Sequence, residues 1–130
     1  MRTVLIDDDA TGVFLATRLF QREGLGENLT AFLSPVEAVA FLREQALAGT
    51  APQVILLDLN MPAMSGWDVL EALQPLQPNL LGQCAVYILT SSLAPTDTNR
   101  AREYPLVVEL LHKPLDQAKI QAIHAQTAGV

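Results

Sequence analysis

Short apolar runs, each closed by polar residues, recur along this chain. Val4-Leu5-Ile6 runs into Asp7-Asp8-Asp9, and Val54-Ile55-Leu56-Leu57 runs into Asp58. Val86-Tyr87-Ile88-Leu89 runs into Thr90-Ser91-Ser92, and Val107 to Leu111, interrupted by Glu109, runs into His112-Lys113. Unbroken, β-branch-rich runs of this length are what a parallel sheet covered on both faces requires. The weaker run Leu29 to Leu33 predicts a strand nearer an edge. Helical patterns lie between the runs. Val13, Ala16 and Phe20 share one face. Ser34-Pro35-Val36-Glu37 predicts a helix start, with Ser34 as cap, Pro35 in the first turn and Glu37 closing a capping box. Val36, Ala40 and Leu47 then fall on one apolar face. Val69, Leu70 and Leu73 predict a third helix, halted by Pro75. Pro95 to Tyr104 is a weakly amphipathic fourth, and Ile120 and Ile123 mark the last. Five strands alternating with five helices predict one doubly wound α/β domain with right-handed crossovers.

In such folds ligands bind beyond the carboxyl ends of the strands. The polar residues that close the runs, Asp7, Asp8, Asp58, Thr90 and Lys113, are therefore predicted on one rim. Three crowded carboxylates repel, so one takes a proton or a cation sits among them. Hard oxygen ligands with room for water describe a Mg²⁺ site. An acidic run at a helix start ordinarily caps the helix, and Asp9 is assigned that role. Asp58 alone would solvate a loop; beside a cation it could instead act as a nucleophile and form an aspartyl phosphate. Such transfer needs positioning and charge neutralisation, which Mg²⁺ and Lys113 could share. Thr90 could bond a phosphoryl oxygen or satisfy local backbone. Each residue has an ordinary reading by itself; the combination carries the signal.

Composition narrows the classes. The chain has 130 residues, 50% of them apolar and 17% charged, which suits a single packed domain. A net charge of −6 without a basic cluster argues against nucleic-acid binding. Cys84 is the only cysteine, which excludes an internal disulfide and predicts a buried, inert thiol. No apolar run reaches the length of a membrane span, and the N-terminus meets acidic residues too early for a signal peptide. A cytoplasmic protein with no membrane partner is expected.

The acidic pair after strand one, Asp58 after strand three, Thr90 after strand four and Lys113-Pro114 after strand five together resemble the two-component response-regulator receiver domain. Leu56-Leu57-Asp58-Leu59-Asn60-Met61-Pro62-Ala63-Met64-Ser65-Gly66 is similar to that family's phosphorylation loop. The resemblance implies a flavodoxin-like (βα)5 fold with strand order 2-1-3-4-5 over residues 1–130. It implies that Asp8 and Asp58 ligate Mg²⁺ directly, that Asp7 acts through bound water, and that the backbone carbonyl of Asn60 is a further ligand. Asp58 would accept a phosphoryl group from a histidine of a sensor kinase or phosphotransfer protein. Lys113 would pair with a phosphoryl oxygen, and Thr90 would shift to bond another. That shift would switch a protein-binding surface at helix four, strand five and helix five, read by an unknown downstream target. The protein would be no enzyme beyond catalysing its own phosphorylation and dephosphorylation.

One departure stands out: many relatives carry an aromatic residue three positions before the lysine, where this chain has Leu110. Ser91 is small and should leave the site accessible. Trp67 is expected to pack at a helix start, and His112 and His124 to be surface groups. A flavin-binding alternative would set its phosphate against Asp7-Asp8-Asp9, which would repel it. An aspartate-nucleophile phosphatase would want an acid two positions after Asp58, where Asn60 stands. A stand-alone receiver, monomeric or weakly dimeric, is the expectation.

Overall fold

In a computed structural model, which describes residues 1–92 and 94–128, the chain forms a five-stranded, all-parallel sheet ordered β2-β1-β3-β4-β5. The strands are β1 (Thr3–Ile6), β2 (Leu29–Phe32), β3 (Val54–Asp58), β4 (Ala85–Thr90) and β5 (Val107–His112). The helices are α1 (Ala10–Arg22), α2 (Pro35–Ala48), α3 (Gly66–Leu73), α4 (Pro95–Ala101) and α5 (Gln117–Ala128). A 3₁₀ turn, Gln74–Leu76, and a single α-turn, Gln77–Leu80, prolong α3 past Leu73. The doubly wound parallel sheet and its strand order are as expected.

Alternation along each central strand feeds two cores. Val4, Ile6, Ile55, Leu57, Val86 and Ile88 face α2, α3 and α4. Leu5, Val54, Leu56, Tyr87 and Leu89 face α1 and α5, where Ala16, Phe20, Ile120 and Ile123 cover them. Each fully buried Leu or Ile side chain contributes about 1.5–3 kcal/mol, so the central strands hold much of the stability. The period of two is thus hidden inside continuous apolar runs because both faces are covered.

Several expectations need correcting. The edge β2 is half-exposed as expected, and β5, the other edge of the expected order, is not covered on both faces as its apolar run predicts, with Val108 56% exposed and Glu109 in solvent. In α2 the buried face is Pro35, Ala38, Val39, Leu42 and Ala46, whereas Val36, Ala40 and Leu47 face outward. That helix is apolar nearly all round, so its spacing alone could not choose the face. Ser34 does cap α2, accepting the Glu37 N–H at 3.2 Å, but among the described residues no bond returns from the Glu37 carboxylate. The complete capping box lies at α3, between Ser65 and Asp68. Helix α4 ends at Ala101 rather than reaching Tyr104, which is buried beyond it. Cys84 is buried just before β4, and burial pushes its thiol up to about 12, so the thiolate is scarce at neutral pH. Among the described residues no helix is long and apolar enough to cross a membrane.

Candidate functional site

The acidic run after β1 divides its labour. Asp9 is the N-cap of α1, its carboxylate accepting the Thr11 N–H at 3.1 Å. Asp7 is buried and accepts the Asp9 N–H at 3.0 Å within the loop after β1. Asp8 is exposed. Residues Ile6 and Leu57 pair in register, so Asp7 and Asp58 emerge side by side from neighbouring strands. Oxygens of Asp7, Asp8 and Asp58 all lie within 4.8 Å of one another. Two of these carboxylates are buried and one is open to solvent, a set that fits a hard divalent cation with room left for water.

Lys113 closes the group from the far side. Its ammonium stands 3.2 Å from Asp58 Oδ1 and 3.5 Å from Asp7 Oδ2. Its backbone N–H donates to the Thr90 carbonyl at 2.8 Å, which ties the turn after β5 to the end of β4. Burial raises the Asp58 carboxyl above the ordinary carboxylate range; Lys113 pulls it down and Asp7 pushes it up. For Lys113, burial works against the charge, but Asp7 and Asp58 outweigh it and the ammonium is held more firmly than usual. One ammonium shared between two carboxylates leaves Asp58 short of positive charge.

The loop after Asp58 is built for close approach. The Asn60 N–H donates weakly to Asp58 Oδ1, at 3.4 Å. Gly66 donates its N–H to the Leu59 carbonyl at 3.0 Å, and a Cβ on Gly66 would stand only 2.6 Å from the Asp58 carbonyl oxygen. A Ser65-x-x-Asp68 cap then starts α3 directly behind the loop, a signal present in the sequence as S-x-x-D.

Of the two readings of Thr90, the structure displays the local one. Its buried hydroxyl donates to the Ser92 carbonyl at 2.9 Å and accepts the Ser92 N–H at 3.1 Å. Ser91 is exposed, and Leu110 is half-buried against the core on the α2–α4 side. Trp67 packs as expected. It stacks on Tyr104 with ring centroids 5.8 Å apart, under the Arg100 guanidinium at 4.7 Å. Both histidines, His112 and His124, are exposed. The structure thus brings Asp7, Asp8, Asp58 and Lys113 together, with Asn60 and Thr90 beside them on the same rim.

Comparison with known proteins gives a consistent picture. A family model described as the response regulator receiver domain matches residues 3–125. A two-component response regulator from Cytophaga hutchinsonii superposes with a TM-score of 0.87 at 29% identity, over 98% of this chain and 96% of that one. A response regulator receiver protein from Dyadobacter fermentans gives 0.83 at 25% identity, over 97% and 96%. The chemotaxis protein CheY4 of Vibrio cholerae, at 20% identity and a TM-score of 0.79 over 98% of both chains, shares the fold. Among curated proteins, a protein-glutamate methylesterase/protein-glutamine glutaminase 3 of Burkholderia thailandensis is 37% identical over 78 residues. That match covers 60% of this chain but only 20% of the relative, so the chain spans about a fifth of that protein's length.

Proposed function

The chain belongs to the response regulator receiver domain family, and from that membership we propose that Asp58 accepts a phosphoryl group from a phosphohistidine of a sensor histidine kinase or a histidine phosphotransfer protein. The observation that carries this reading is the shared ammonium of Lys113, 3.2 Å from Asp58 and 3.5 Å from Asp7, on a rim of three converging carboxylates. In the transfer, the P–N bond to the donor imidazole breaks as a P–O bond to an Asp58 oxygen forms. Bound among Asp7, Asp8, Asp58 and the Asn60 carbonyl, Mg²⁺ would neutralise the charge gathering on the phosphoryl oxygens. Lys113 pairs with another phosphoryl oxygen and leaves its bridge to Asp58. Thr90 gives up its bonds to Ser92 and turns its hydroxyl to the phosphoryl group, drawing the loop after β4 inward.

That exchange of partners is the switch. It biases the surface of α4, β5 and α5, which a downstream protein reads. With Leu110 where an aromatic would rotate, the movement of the threonine loop is transmitted without an aromatic flip. We place residues 1–130 in one receiver domain, cytoplasmic, monomeric or weakly dimeric, with neither nucleic acid nor membrane as partner. Its catalysis is confined to its own phosphorylation and dephosphorylation.

The test is intact-protein mass spectrometry after incubation with acetyl phosphate, with Mg²⁺ or with EDTA, on wild type and Asp58→Asn. A gain of one phosphoryl group that needs Mg²⁺ and disappears in Asp58→Asn is expected. A folded wild type that gains nothing from acetyl phosphate or from any histidine phosphodonor defeats the reading.

A further inference from the structure

Lys119 stands in the first turn of α5, an end of the helix where the backbone dipole disfavours a cation. Its ammonium folds back to two backbone carbonyls instead, those of His112 at 2.6 Å and Pro114 at 2.8 Å. These two carbonyls bracket Lys113. Asp116 braces the same group: its Oδ1 accepts the Lys119 N–H at 2.9 Å and its Oδ2 lies 3.8 Å from the Lys119 ammonium. On the opposite side, the Lys113 N–H is held by the Thr90 carbonyl. The short turn that carries Lys113 is therefore fixed to β4 by one bond and to α5 by two charge-assisted ones.

We propose that Lys119 is a positioning residue for phosphoryl transfer to Asp58, holding the backbone on both sides of Lys113 so that its ammonium reaches Asp58. The inference rests on the reading of Asp58 as phosphoacceptor. Lys113 is a long side chain launched from a turn beyond the last ladder residue of β5, His112. A shift of that turn moves the launch point, and the ammonium must then be recovered by rotamer search at the cost of the geometry that neutralises the phosphoryl oxygens. Nothing else among the described side chains bonds both carbonyls. In the sequence, the only local signal of Lys119 is a lysine at the unfavourable end of a helix.

The experiment uses three variants of the whole chain. Lys119→Met removes the ammonium but keeps the stem, Lys119→Arg keeps donors for both carbonyls, and Lys119→Gln replaces the Met variant should that fail to fold. Two quantities are read: hydrogen exchange of the Lys113 amide, and the Mg²⁺-dependent rate of phosphorylation by acetyl phosphate. Lys119→Met should show faster exchange confined to residues 112–116 and a rate lowered by roughly 10- to 100-fold. Its melting temperature should stay near that of wild type, and Lys119→Arg should recover most of both quantities. Where wild type is phosphorylated, a Lys119→Met protein with wild-type exchange or a wild-type rate overturns the proposal. Should wild type itself take no phosphoryl group, the reading of Asp58 fails, and the exchange of Lys113 alone decides whether Lys119 holds the turn.

Discussion

A Cβ placed on Gly66 would stand 2.6 Å from the backbone oxygen of Asp58 and 3.0 Å from the Cα of Leu59. Both neighbours are backbone, so neither can swing aside as a side-chain tip could. Gly66→Ala must therefore push the loop away from β3 or shift the start of α3. Overpacking of this kind costs about 1–3 kcal/mol. Urea unfolding should show a loss in that range, and phosphorylation by acetyl phosphate should slow, because Asp58 sits at the point of contact. A variant within 0.5 kcal/mol of wild type, roughly the scatter of ordinary surface substitutions, would mean that the loop yields freely. At this scale the rim was legible in the chain because its chemistry depends on residue type at a strand end. Asp7, Asp8, Asp58, Thr90 and Lys113 each follow an apolar run. Lys119 was not legible, since its role arises from where a flexible stem folds back, which no spacing records.

Among the described residues, α4 buries fewer of its own side chains than α1, α2, α3 or α5. It spans seven residues, has no side-chain N-cap bond, and buries only Ala101. What fastens its end is a cluster beyond and beneath it. Arg100 lies over Trp67, Trp67 stacks on Tyr104, and the Tyr104 hydroxyl donates to Glu71 Oε1 at 2.5 Å. Trp67 and Glu71 belong to α3, so the cluster binds the helix behind the phosphoacceptor loop to the helix of the proposed output surface. Tyr104→Phe removes one hydrogen bond to an exposed carboxylate that water can then solvate, a loss of about 1 kcal/mol. Because Trp67 is the only tryptophan, its emission should move to longer wavelength as its cover loosens, and amide exchange should rise over residues 95–104. An unchanged spectrum with unchanged exchange would place the hold on α4 elsewhere. The chain predicted this helix too long and predicted the outward face of α2 as its apolar one. Both errors have one origin: apolar periodicity locates a helix, but where a stretch is weakly patterned or apolar all round, tertiary packing selects the end and the face.

Taken whole, the molecule sets two continuous apolar cores beneath a rim of charge it cannot fully balance. Desolvation of Asp58, with Asp7 beside it, outweighs the pull of Lys113 and raises the Asp58 carboxyl above its ordinary value. Folding therefore favours the protonated form. Below the ordinary value of 3.8 the group is protonated in both states and costs nothing. As pH rises through the window between that value and the raised folded one, the unfolded chain sheds its proton first and stability is lost. Above the raised folded value the whole cost is present. Asp58→Asn, which removes the charge and keeps the shape, should accordingly melt higher than wild type in EDTA at pH 7, by a margin that narrows as pH falls toward 4. Mg²⁺ should raise the melting temperature of wild type by mass action and raise that of Asp58→Asn much less. This is the pattern of a site whose stability is given up for function. Differential scanning calorimetry across pH, with and without Mg²⁺, distinguishes it from a structural ion-pair network. Were Asp58→Asn the less stable protein in EDTA at pH 7, the bridge to Lys113 would outweigh burial, and the rim would hold the fold together rather than wait for a cation.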